Sequence, residues 1–179
     1  MKKIIVLILI CGLAIGLSAQ MHVFAGLNSD MAKAGAGTTN GKLGFQAGGG
    51  YIMNMGTLMI EPGVKFTTRG WEYLDAYYAD IFGKIGYNIP GDFHGVLYGG
   101  LSVGFCFADD DTWSYSYYSQ GKADINPLYM GIQFGARYIF SEKYTVTGEY
   151  DWGLTEMYDK GYWKGLSNYT ISFSLGYLF

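Results

Sequence analysis

Proline and cysteine are scarce in this chain, with 3 and 2 residues among 179. Cys11 lies inside an N-terminal apolar run, so only Cys106 belongs to the remaining domain and no internal disulfide can form. Cys106 reads as a small residue packed in a strand. Charged residues make up 15% of the chain and the formal net charge is −3, which excludes the basic footprint of a nucleic-acid partner. There are only two histidines, His22 and His94, so general-base chemistry has few candidates. Beyond the first twenty residues no apolar run reaches the roughly 20 residues of a helical membrane span.

The one long apolar run is N-terminal. Lys2 and Lys3 precede Ile4 to Leu17, and Ser18, Ala19 and Gln20 follow as a small-residue stretch. That is the layout of an export signal at 1–20, cleaved near Ala19 or Gln20, leaving one domain over 21–179. Cys11 does not suit a lipoprotein signal, because Ile10 stands where a small residue is needed. Without Lys2 and Lys3 the formal charge of −3 becomes −5.

What is abundant is glycine and aromatic side chain: 28 Gly, 17 Tyr and 11 Phe. Period-two alternation bounded by turn residues gives eight strands. They run Met21 to Asn28, Lys42 to Met53, Thr57 to Thr68, Tyr77 to Asn88, Val96 to Phe107, Leu128 to Phe140, Lys143 to Leu154 and Tyr169 to Phe179. Connections after strands two, four and six are expected to be short, and those after one, three, five and seven longer. This is the asymmetry of outer-membrane barrels, with short periplasmic turns and longer extracellular loops.

One face of these strands is bulky and apolar, as in Leu43, Phe45, Val64, Phe66, Ile81, Ile85, Leu101, Phe134 and Trp152. The other is small or polar, as in Gly44, Gln46, Gly48, Gly63, Ser102, Gln133, Thr147, Thr170 and Ser174. Only a narrow lumen needs so many glycines, so the polar face is expected inside and the apolar face against lipid. The fold expected is an all-β, eight-stranded antiparallel up-and-down transmembrane barrel with a filled polar interior. Tyr51, Tyr87 and Tyr144 would form one interfacial aromatic belt; Trp71, Tyr73, Tyr77, Trp152 and Tyr158 would form the other. Pro62, inside the third strand, removes a ladder donor and predicts a bulge or irregular pairing.

Glu61, Lys65, Asp80, Lys84, Arg137, Glu149 and Asp151 fall on the inward face. Buried charges need partners, so an ionic network that pins register and plugs the lumen is expected. A lipid-modifying enzyme would need a base near the outer leaflet, yet His22 and His94 both map to the periplasmic end. An enzyme is therefore not expected, and no cofactor or metal is implied. A narrow conductance is the other alternative. The extracellular contact candidates are Asp109, Asp110, Asp111, Trp113, Tyr115, Tyr117 and Tyr118 in one loop, with Tyr158, Tyr162 and Trp163 in the last. Tyr and Trp among Ser and Gly make adaptable contact surfaces. Three consecutive Asp lack the spaced ligand pattern of a calcium loop.

The stretch Tyr150, Asp151, Trp152, Gly153, Leu154, Thr155, then Leu166, Ser167 and Asn168, and the closing run Ser172 to Phe179 resemble the small outer-membrane β-barrel proteins labelled porin-family or PorT-like. Ala25, Gly26, Leu27 and Asn28 look like that family's first strand. The resemblance implies an OmpX-like barrel in the outer membrane of a Gram-negative bacterium, with both termini periplasmic. It also implies insertion by the outer-membrane assembly machinery, which would read Phe179 as a tag. The partners expected are outer-membrane lipid, that machinery, and an extracellular ligand the sequence does not name.

Overall fold

A computed structural model describes residues 19–34, 37–38, 41–71, 74–111, 125–156 and 167–179. Its strands are β1 (Ala19–Ala34), β2 (Gly37–Thr38), β3 (Lys42–Met55), β4 (Leu58–Trp71), β5 (Leu74–Asn88), β6 (Gly95–Asp111), β7 (Leu128–Phe140), β8 (Tyr144–Glu156) and β9 (Ser167–Leu178). Each pairs antiparallel with its neighbour, and β9 returns to pair with β1. The two-residue β2 only extends the hairpin at the end of β1, so eight staves close the barrel.

The registers fix the barrel's dimensions. One circuit of paired residues, Ala19, Met53, Ile60, Ile85, Gly99, Phe134, Tyr150 and Ile171, returns to β1 at Ser29, ten residues from its start. With strands about 4.8 Å apart and a rise of about 3.3 Å per residue, this stagger implies a tilt of about 40° and a backbone radius of about 8 Å. Side chains reaching in from eight staves fill that radius.

The alternation sorts side chains as expected. Leu43, Ile81, Leu101, Phe173 and Leu175 are more than 60% exposed on the outer face, while Glu61, Lys65, Asp80, Gln133 and Asp151 are buried inside. A soluble barrel has the opposite polarity, because it must bury its apolar face away from water. Inward glycines sit against bulk. A Cβ on Gly63 would overlap the Phe82 ring, and one on Gly135 would overlap Tyr98.

Several sequence expectations need correction. The strands run further than the alternation suggested, so β4 and β5 are joined by residues 72–73 alone, with Trp71 paired to Leu74. That connection is not a long loop; the ladder holds to the hairpin tip. The turn at 89–94, assigned to the short end, is longer than it. Pro62 makes no bulge: the β3–β4 register is unshifted on either side, and pairing is only interrupted between Gly50↔Gly63 and Met53↔Ile60. The missing N–H costs a ladder bond without adding a residue. The register shift in β5–β6 lies at Tyr77/Tyr78 instead.

Two turns show contrasting chemistry. Gly56, with φ of 68°, opens the two-residue β3–β4 turn as a mirror-image turn requires. In the β7–β8 turn Ser141 and Glu142 both have positive φ, 51° and 59°, where Asn-Gly is the usual solution.

Candidate functional site

The lumen is built around two carboxylates of β8. Glu149 accepts from Lys65 at 2.9 Å and from Tyr98 Oη at 2.8 Å, and lies 2.6 Å from Lys84 Nζ. Asp151 accepts from Tyr129 Oη at 2.5 Å, Gln133 Nε2 at 3.1 Å and Arg69 Nη2 at 3.4 Å, with Lys65 Nζ at 3.6 Å. Strand β4, which supplies Lys65 and Arg69, stands four staves from β8 and therefore directly across the lumen. The Lys65 and Arg69 contacts are therefore cross-braces, whereas Gln133 is Asp151's neighbour on the β7–β8 ladder.

Below this hub, toward the short turns, lies a second cluster. Arg137 Nη2 donates to Glu61 Oε2 at 2.7 Å, and Arg137 Nε to Thr147 at 3.3 Å. His22 Nδ1 lies 2.7 Å from Glu61 Oε1, and its Nε2 lies 3.1 Å from Thr145 Oγ1. The order hydroxyl, imidazole, carboxylate is that of a catalytic relay. Here all three side chains are buried, and the apolar cluster of Ile52, Met59, Val96, Tyr98 and Leu178 lies at that end of the lumen. In this buried setting the contacts orient the ring and satisfy its polar atoms. His94 is exposed in the 89–94 turn.

Toward the long connections, Arg69 donates from Nη1 and Nη2 to the two oxygens of Asp80, at 2.9 and 2.5 Å. Its guanidinium lies 3.7 Å from the centroid of Tyr129 and 5.0 Å from that of Tyr78. A planar cation clamped by a carboxylate and stacked on rings is what arginine does and lysine does not. Beside it Thr170 donates to Asp30, and Asn28 donates to Thr67 at 3.0 Å. Ile125 packs against Ala76, Tyr78 and Tyr129, and Tyr78 Oη donates to Asn126 O at 3.4 Å. The end of the β6–β7 connection is thereby drawn over the lumen.

All seven sequence-assigned interior charges lie in this lumen, and all are joined by ion pairs or hydrogen bonds. Arg69 and Asp30 were missed, because strand three was ended at Thr68 and strand one at Asn28. Residue parity would have found both: Arg69 follows Glu61 and Lys65, and Asp30 follows His22 and Phe24. The inward aromatics Phe24, Tyr78, Phe82, Tyr98 and Tyr129 were also missed, since a glycine-rich face was read as uniformly small. Arg69 supplies the fourth cation, with Lys65, Lys84 and Arg137, for Glu61, Asp80, Glu149 and Asp151.

The proposed contact residues divide differently. Asp109, Asp110 and Asp111 end β6, where the register sets them opposite Ala76, Asp75 and Leu74. Trp113, Tyr115, Tyr117, Tyr118, Tyr158, Tyr162 and Trp163 lie outside the described residues, as does Tyr73. Phe179 is exposed and donates its backbone N–H to Met21 O at 2.9 Å. Its ring meets Tyr177 at 4.8 Å, and the contacts continue through Tyr144, Phe140 and Tyr138 to Phe93. Among the described residues no group of three His, Cys, Asp or Glu side chains is placed to hold a metal ion.

No family model and no curated protein matches the sequence. The porin-family resemblance thus has no sequence match behind it, and the likeness to known proteins is one of structure. Neisserial surface protein A (NspA) aligns with a TM-score of 0.58 at 14% identity, covering 90% of this chain and 99% of that one. Ail, the attachment invasion locus protein of Yersinia pestis, aligns at 0.52 with 14% identity, again over 90% and 99%. Ail has also been solved with the heparin analogue sucrose octasulfate, and that structure aligns at 0.51. At such identities the shared property is the fold.

Proposed function

We propose that this chain is a non-catalytic barrel of a Gram-negative outer membrane that binds a surface partner through its extracellular connections. The observation that carries this reading is the contrast between the filled, cross-braced lumen and the apolar exterior. Lipid suits the outer face, and the interior leaves no channel for a solute and no approach for a substrate. What remains for recognition is the end bearing the longer connections. The names of two structural neighbours, a surface protein and an attachment invasion protein, point the same way. In this reading both termini are periplasmic, the assembly machinery inserts the chain, and Phe179 is the tag it reads.

Display on bacteria that lack other adhesins tests the proposal. Cells carrying the full chain should bind immobilised extracellular-matrix proteins or glycans above control cells, and deletion of residues 112–124 should abolish the excess. Equal binding by the deletion variant, despite normal surface display, would overturn the assignment to that loop. Stable single-channel current from pure protein in a planar bilayer would contradict the plugged lumen. Protease on intact cells should cut within 112–124 and spare 89–94; the reverse pattern would invert the orientation.

A further inference from the structure

We infer that the lumen contains a built site for one tightly held water molecule, which joins the two ionic clusters into a single hydrogen-bonded chain. A void with room for about one water lies between them, lined by Gln46, Lys84, Arg137, Thr147, Glu149 and Ser174 as well as the His22 and Phe24 rings. Arg137 and Thr147 belong to the cluster around Glu61, while Lys84 and Glu149 belong to the hub above. The void is the place where the two meet.

Two lining side chains point to an occupant. The Gln46 amide and the Ser174 hydroxyl, 4% and 6% exposed, have no hydrogen-bonding partner among the described residues. A buried polar group left unsatisfied costs about 1–3 kcal/mol, so two of them facing one void favour a guest that donates and accepts. Water does both, whereas an anion only accepts. The adjacent cations are also already matched, Arg137 by Glu61 at 2.7 Å and Lys84 by Glu149 at 2.6 Å, so the void has no surplus positive charge to draw an anion. Polar lining, one-water size and two to four available partners are the conditions under which buried water is a fixed part of a fold. Every lining side chain is more than nine-tenths buried.

The test uses the full chain refolded in bicelles, with crystals of the same material. A density peak is expected within hydrogen-bonding distance of Gln46 and Ser174, with water cross-relaxation to nearby backbone amides. Ser174→Ala, which keeps the room, should retain the signal; Ser174→Val, which fills it, should lose it. If Ser174→Val does not refold, Gln46→Met serves as the displacing variant. No density at the void, persistence of the signal in the displacing variant, or a strong anomalous peak there after a bromide soak would each overturn the proposal. So would a continuous file of waters through the lumen.

Discussion

The two faces of β8 follow different rules within one strand. Val146, Tyr150 and Trp152 face outward, exposed and in contact with whatever surrounds the barrel, while Thr147, Glu149 and Asp151 face inward and bond to named atoms on other staves. Outside, only the class of side chain matters, because among the described residues no atom of another stave meets these side chains as a specific polar partner. Inside, each side chain is fixed by a particular partner, on the neighbouring stave for Thr147 and on the opposite wall for Glu149. The outer face is set by composition and the inner one by identity.

The largest effect should come from the hub. Glu149→Ala leaves Lys65, Lys84 and Tyr98 without their shared acceptor, and breaking such a buried pair costs about 3–5 kcal/mol. Val146→Leu on the other face of the same strand should change stability by no more than about 0.5 kcal/mol. Urea unfolding in detergent micelles, followed by tryptophan fluorescence, checks both; similar losses would erase the contrast. Glycines sharpen it next. At Gly26 an added Cβ would overlap the Phe173 carbonyl and lie 2.6 Å from Ser174 Cα, both backbone of β9, so Gly26→Ala should cost about 1–3 kcal/mol. At outward Gly83 a Cβ meets nothing within 4 Å, and Gly83→Ala should be neutral or stabilise by about 0.5–1 kcal/mol. The smallest effect belongs to a turn that serves neither face. Glu142→Gly relieves a positive φ and should raise stability by up to about 1 kcal/mol, visible as a higher urea midpoint.

The same division explains what the sequence made legible. Alternation gave the strands and the apolar outer face because a two-residue period is a local property that survives an error at either end. It placed Glu61, Lys65, Asp80, Lys84, Arg137, Glu149 and Asp151 inside for that reason. It could not say that Lys65 and Lys84 converge on Glu149, because partners across the lumen follow from stagger and radius. Neither quantity is written in any single strand. The long-connection end is the least legible: alternation fades at Thr67, Thr68, Arg69 and Gly70, all buried in succession, so by pattern alone a continuing hairpin resembles a loop.

The placement of both hub carboxylates on β8 also bears on the order of events in folding. Their cations stand far back along the chain, Lys65 84 residues from Glu149 and Arg69 82 from Asp151, while Arg137 and Glu61 are 76 apart. An early β4–β5 hairpin can pair Arg69 with Asp80, but no hairpin can join Lys65 to Glu149 or Arg137 to Glu61, whose strands are not neighbours. Until the last staves arrive the cross-lumen charges stay hydrated, and a half-built sheet gains nothing from those pairs. For the pairs that span the lumen, desolvation and pairing must then come together in the closing step, so those contacts reward only the finished ring. Long-range contacts of this kind make folding slow, and a partly assembled barrel keeps water on its cross-lumen charges until the ring closes.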